Sequence, residues 1–289
     1  MITLASTEDV LRALRRAREV TCASYALPSG PVLDGLASAA RRGAHVVVRL
    51  EGTPYKDAAG GLQRANAAAV AALRSAGADA RLLHGAPGEA ALHAKAIVAD
   101  DALYLDDCNW PHDGCDTIVR DDAPSHVRMV RDITLGQAVA ASRGFATGKR
   151  AALASEARTI AAASRDCVDI ESESVSAYNC AFAAIDARAE RGERVRLLVS
   201  ARDLRGNAKE RAALSKLAND GVQVRTCPAS EKFALAGARA WIGSANASAA
   251  FDKPDQIDWG LQTRAKQVIA HLRSHFEQRW IKATPLRTI

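Results

Sequence analysis

The chain has 289 residues, 48% hydrophobic and 25% charged, with 39 basic against 33 acidic side chains and a formal net charge of +6. That composition excludes a disordered or fibrous chain, and at roughly 150 residues per domain the length predicts two units. Apolar runs such as 67–73 fall far short of the roughly 20 residues that a membrane-spanning helix needs, so no membrane span is expected.

Residues 1–20, MITLASTEDVLRALRRAREV, read as an amphipathic helix rather than an apolar leader, and a cytoplasmic location is expected. Val20–Leu50 predicts a strand, a loop, a helix ending in Arg-Gly and a β-branched strand, with Gly43 as the left-handed helix terminator. Ala71–Leu83 predicts a helix stopping at Gly77 and then a strand. His93–Trp110, HAKAIVADDALYLDDCNW, predicts a strand, a tight turn, a second strand and a polar loop, and DTIVR from Asp116 predicts a further strand. Residues 133–165 read as an alanine-rich helical stretch, broken near Gly144 and Gly148, that ends one half and connects to the next.

The pattern then repeats. Val168–Val199 matches Val20–Leu50, with Gly192 in place of Gly43, and Ala213–Arg225 breaks at Gly221 as the earlier segment does at Gly77. Ser230–Ala247, SEKFALAGARAWIGSANA, aligns without a gap on His93–Trp110, pairing Lys232 with Lys95, Gly237 with Asp100 and Asn246 with Asn109. DWGLQTR from Asp258 follows as a strand, and a helix over Lys266–Trp280 closes the copy. The expected fold is therefore α/β: two similar lobes from an internal duplication, residues 1–148 and 149–289, each a mixed sheet flanked by helices. Such copies are expected to pack as a pseudo-twofold dimer that shares one site, so that a monomer suffices.

The chemistry sits in the aligned segments. On a strand, His93 and Lys95 share a face, because side chains alternate with period two. A histidine beside a lysine offers a nucleophile and an anion clamp. The natural target is a phosphodiester, with attack by histidine giving a phosphohistidine and a second group protonating the leaving oxygen. The lysines neutralise the charge, so no metal or other cofactor is expected. The six cysteines contain no CxxC pair, and Cys108, His112 and Cys115 supply only three of the four ligands that a structural zinc wants.

HxKxxxxD followed by a GSxN-like loop, present twice, resembles the phospholipase D superfamily. The first motif reads His93, Lys95, Asp100, and the GSxN element is intact in the second copy as Gly243, Ser244, Asn246. The resemblance covers most of the chain. It implies that His93 attacks, that Lys95, Lys232, Asn109, Asn246 and Ser244 hold the phosphate, and that Asp116 and Asp258 orient histidine. The copies depart from the pattern in opposite ways. Ser230 and Gly237 replace the second histidine and aspartate, and Asp106–Asp107 replace the first Gly-Ser pair. The general acid must then come from elsewhere. Glu173, aligned with Tyr25 at a strand end, is the leading candidate and Asp106 or Asp107 an alternative; alternation turns Glu231 to the other face. The expected activity is a metal-independent phosphodiesterase whose partner is a nucleic acid rather than a lipid. The alternatives are a phospholipase or phosphatidyl transferase, and a degenerate phosphodiester-binding protein.

Overall fold

The computed structural model describes residues 1–55, 57, 59–83, 91–110, 117–134, 141–142, 144–163, 167–228, 231–248 and 256–286. The chain forms two compact units, one of Met1–Ser142 with Lys253–Trp259 and the other of Arg143–Asp252 with Gly260–Ile289. This division differs from the expected 1–148 and 149–289 in two ways. The junction lies six residues earlier, and a short segment from the second half belongs to the first unit. Main-chain bonds hold that segment in place: His93 N donates to Ile257 O at 2.8 Å, and Ile257 N to Ala91 O at 2.8 Å.

The first unit runs β1 (Ile2–Ala5), α1 (Thr7–Arg16), β2 (Glu19–Ser24), α2 (Pro31–Arg41), β3 (His45–Glu51), α3 (Gly61–Ser75), β4 (Asp79–Leu83), β5 (Lys95–Ala99), β6 (Ala102–Asp106), β7 (Ile118–Asp121), α4 (Pro124–Thr134) and β8 (Ala141–Ser142). Its sheet has the order β1-β7-β6-β5-β2-β3-β4. Strands β2, β3 and β4 are parallel, and β5, β6, β7 and β1 join antiparallel. Val10 and Leu14 of α1, Leu36 of α2 and Val70 and Leu73 of α3 bury one face with Cys22, Val48 and Ile97, while α4 packs on the other. The expected N-terminal helix begins only at Thr7. Ser6 caps it, accepting from Asp9 N while the Asp9 carboxylate bonds back to Ser6 N, and the residues before it pair with β7 as an edge strand.

The second unit runs β9 (Phe145–Thr147), α5 (Lys149–Ala161), β10 (Val168–Ser172), α6 (Cys180–Glu190), β11 (Val195–Ser200), α7 (Ala208–Asn219), β12 (Gln223–Cys227), β13 (Phe233–Ala236), β14 (Arg239–Gly243), β15 (Trp259–Thr263), α8 (Lys266–Lys282) and β16 (Thr284–Pro285). Its sheet runs β16-β12-β11-β10-β13-β14-β15-β9, with β10, β11 and β12 parallel. Helices α5, α6 and α7 bury one face through Leu153, Ile160, Ile185 and Leu214, and α8 covers the other with Phe276 against Phe233.

Seven strands follow one another in the same order in both sheets, β16 having no counterpart in the first, and the repeat is longer than the aligned sequences suggest. β1 and α1 of the first unit correspond to β9 and α5 of the second, β1 lying next to β7 and β9 next to β15. The stretch read as an alanine-rich connector therefore holds the last residues of α4, the short strands β8 and β9, and the first helix of the second lobe.

Candidate active site

The carboxyl ends of parallel strands are where open α/β sheets hold ligands, because loops diverge there. In the first lobe this end gathers Tyr25 after β2, Glu51 at the end of β3 with Tyr55 beyond it, and His93 just before the antiparallel β5. Tyr25 N donates to Ala94 O at 2.9 Å, which stitches β2 to the segment carrying the histidine.

His93 is 5% exposed and Lys95 2%. The His93 Nδ1 lies 2.8 Å from Oδ1 of Asp258, a wholly buried carboxylate. A carboxylate only accepts, so in the neutral imidazole the proton sits on Nδ1 and the lone pair on Nε2. Two donors meet that lone pair: the Tyr55 hydroxyl at 3.0 Å and the Lys95 ammonium at 3.2 Å. Lys95 Nζ also donates to His93 O at 2.8 Å and lies 5.5 Å from the Tyr25 ring centroid. The first lobe thus brings together His93, Lys95 and Asp258, an oriented imidazole beside a buried ammonium group.

The structure sets Asp100 apart from this group. It follows β5 at the far end, about 16 Å away at the usual strand rise. Its Oδ1 accepts from Arg18 N and Glu19 N, both at 3.0 Å, and its backbone is left-handed with φ 48°. In this conformation the aspartate builds the β5–β6 turn. Asp106 and Asp107 are fully buried and bind their own loop, Asp106 Oδ1 accepting from Cys108 N and Asp107 Oδ1 from Thr117 N. Asn109 follows them, with its Oδ1 buried and lacking a hydrogen-bond partner. Asp116, with His112 and Cys115, lies outside the described residues.

In the second lobe Lys232 is 3% exposed and Asn246 6%. The Glu173 carboxylate stands between them: its Oε2 accepts from Asn246 Nδ2 at 3.1 Å and lies 3.7 Å from Lys232 Nζ. The Glu173 side chain therefore stands beside the lysine and the asparagine that the sequence assigns to a phosphate. Asn246 Oδ1, like Asn109 Oδ1, is buried without a partner, a matched feature of both loops. Buried polar atoms without a partner are uncommon in folded proteins. Ser244 is wholly buried beside them in sequence, and Ser230 lies outside the described residues. Glu231 turns to the opposite face, where it accepts from Arg279 of α8.

Two residues of the first lobe carried no sequence signal. Tyr55 sits in a loop without a motif. Glu51 is 1% exposed, and it ties the loop by accepting from Thr53 N at 2.8 Å and Leu92 N at 2.7 Å. Among the described residues no group of three or more histidine, cysteine, aspartate or glutamate side chains could hold a metal ion, and no helix is long and apolar enough to cross a membrane.

Residues 157–280 match a family profile described as cardiolipin synthase, PLD-like domain. Residues 157–280 thus form a phospholipase D-like domain. Two solved structures share the fold across both lobes. The phosphatidylserine synthase of Haemophilus influenzae Rd KW20 matches with TM-score 0.68 and 10% identity, over 99% of this chain and 87% of that one. The polyphosphate kinase of Porphyromonas gingivalis matches with TM-score 0.66 and 14% identity, over 97% of this chain, which spans 50% of the kinase. The nuclease Nuc of Salmonella typhimurium, a phospholipase D family member, matches over 50% of this chain and 95% of its own at 19% identity, with TM-score 0.43. No curated protein matches the sequence. The phospholipase D-like fold thus repeats along the chain, with one HxKxxxxD motif intact and the second degenerate.

Proposed function

We propose that this phospholipase D-like protein is a phosphodiesterase that acts through a covalent phosphohistidine at His93. The observation that carries the reading is the imidazole held by Asp258 with Nε2 as its free-electron-pair nitrogen, beside the Lys95 ammonium. Attack by Nε2 forms an N–P bond and breaks the bond from phosphorus to the leaving oxygen. Water then cleaves the N–P bond and restores the imidazole. Lys95 and Asn109 in the first lobe, and Lys232, Ser244 and Asn246 in the second, are the proposed phosphate ligands. Glu173 is the proposed proton donor to the leaving oxygen. Lysine charge suffices for the transfer in this reading, and no metal takes part.

The net charge of +6 favours a nucleic-acid phosphodiester over a lipid one, since lysine and arginine meet a polyanionic backbone. A chromogenic phosphodiester, incubated in EDTA with wild type and with His93→Ala, tests the reaction. Turnover by wild type alone, with the label trapped on His93 by rapid acid quench, is expected. Equal turnover by both proteins would refute the nucleophile. Single-stranded DNA and phosphatidylglycerol vesicles as competing substrates then separate the two substrate classes, and preferential cleavage of the lipid would overturn the nucleic-acid assignment.

A further inference from the structure

We propose that Tyr55 caps the nucleophile: its phenol donates to Nε2 of His93 in the resting protein and passes the same O–H to a non-bridging phosphate oxygen when substrate binds. This rests on the reading of His93 as the attacking residue.

The cap follows from the bonding around one nitrogen. Asp258 fixes Nδ1 as the donor, so the 3.0 Å contact between the Tyr55 hydroxyl and Nε2 has the phenol as donor. The tyrosine is 39% exposed and the histidine 5%, so the phenol belongs to the open side and the imidazole to the closed one. Lys95 also points at Nε2, but its ammonium is anchored on His93 O at 2.8 Å. Of the two donors, the phenol belongs to the more exposed residue.

Its position is built into the lobe. Tyr55 O accepts from the Tyr25 hydroxyl at 2.8 Å, and Thr53 N and Oγ1 bind Glu51 Oε1 at 2.8 and 3.0 Å. The other oxygen of Glu51 holds Leu92 N, one residue before the nucleophile. The loop bearing the phenol and the segment bearing the imidazole therefore share one buried carboxylate. The Tyr25 ring stands edge-on to the imidazole, with centroids 5.0 Å apart, and keeps it from rotating toward the sheet.

The electron count is simple. The Nε2 lone pair forms the bond to phosphorus, and the leaving oxygen takes the bonding pair and a proton from the general acid. The Tyr55 proton stays on the phenol and changes acceptor, from a nitrogen that has lost its lone pair to an oxygen that carries charge. A hydrogen bond to a charged group is stronger than one between neutral groups, so the exchange favours the transition state.

Two electrophiles read the two halves of the proposal in Tyr55→Phe, which keeps the ring and the main-chain tie to Tyr25. Diethyl pyrocarbonate is small and uncharged and needs no anion clamp. Carbethoxylation of His93, followed by peptide mass spectrometry at pH 7.5, is expected to quicken about three- to tenfold once the cap is gone. Turnover of a chromogenic phosphodiester is expected to fall about tenfold, carried in kcat, because the handover is lost. An unchanged rate of carbethoxylation at His93 would overturn the cap. Turnover that rises in step with carbethoxylation would overturn the handover. Absence of turnover and of any phosphohistidine in wild type would instead sink the nucleophile reading and the handover with it, while the carbethoxylation rates alone still decide the cap.

Discussion

Where the first lobe has Ala23 and Ala94, the equivalent positions of the second hold Glu171 and Glu231. Register fixes the equivalence: Val20 pairs with Ala99 as Val168 pairs with Ala236. Both glutamates are buried, at 1% and 0% exposure, and both bind Arg279 of α8. Burial pushes the Glu171 carboxyl up to about 8, against the pull of Arg279 and with Glu231 adding to the rise. Burial also opposes the charge of Arg279, but the two carboxyls outweigh it and raise its pKa. The first lobe thus keeps an apolar floor beneath an oriented histidine, and the second has an ionic floor beneath a half-site whose lysine is paired with Glu173. The same backbone supports a histidine oriented by an aspartate in one copy and a lysine beside a glutamate in the other.

The contrast is sharpest at Asp258. Asp258→Asn preserves shape but removes the obligate acceptor, so the imidazole loses its fixed tautomer. Turnover is expected to fall about three orders of magnitude, as tautomer control does for histidine bases in general. Nitrogen NMR of the His93 ring would show the change from Nδ1–H to a mixture. Retention of full activity with a mixed tautomer would remove Asp258 from the mechanism.

The ionic floor is the next largest effect. Arg279→Met leaves two carboxyls buried without their cation and is expected to cost about 3–5 kcal/mol in urea unfolding. Glu171→Ala, Glu231→Ala and Arg279→Met together copy the apolar floor of the first lobe and are expected to recover most of that loss. If the triple variant is no more stable than the single one, the difference between the floors lies in packing rather than charge.

Much of this architecture is legible in the sequence, and what is not has physical causes. His93, Lys95, Lys232 and Asn246 are set by strand period and loop spacing, which the two copies share without a gap. The pairing of β1–α1 with β9–α5 leaves no such trace. α1 turns Arg12, Arg15 and Arg16 to solvent, whereas α5 buries Ser155, Glu156 and Thr159, so the two helices share a place but no pattern. Asp258 stands out as an acid after GSxN, yet its partner is 165 residues away, which periodicity cannot show. Tyr55 and Glu51 act through tertiary contacts of a loop, and loop sequence carries no period.

The α1–α5 comparison gives a pH test. Glu156 is 1% exposed, its Oε2 has no partner, and burial pushes its carboxyl up to about 8. The folded protein therefore holds a proton there that the unfolded chain releases near its ordinary value of about 4.5. The contribution to stability is full below pH 4.5, falls as pH rises toward 8, and is lost above it. Glu156→Gln is expected to flatten that decline by a few kcal/mol, order of magnitude, in urea titrations from pH 5 to 8.5. A decline of the same slope in the variant would assign it to Glu171 instead.

The smallest effect concerns the motif aspartate. Asp100 has φ 48° and Gly237, its counterpart, φ 60°. Each also gives its carbonyl to an arginine of the closing helix, Arg131 NH2 at 2.7 Å in one lobe and Arg273 NH2 at 3.0 Å in the other. The position demands a left-handed residue, which aspartate tolerates and glycine adopts freely. Asp100→Gly is expected to lower stability by about 1 kcal/mol, through the lost bonds to Arg18 N and Glu19 N, and to leave turnover within about threefold. Asp100→Ala, which adds left-handed strain to the same loss, is expected to cost about 1 kcal/mol more than the glycine variant. Turnover that collapses in Asp100→Gly at unchanged thermal stability would return the aspartate to the chemistry. A loss confined to stability would mean that the second copy gave up its aspartate because glycine meets the same backbone demand.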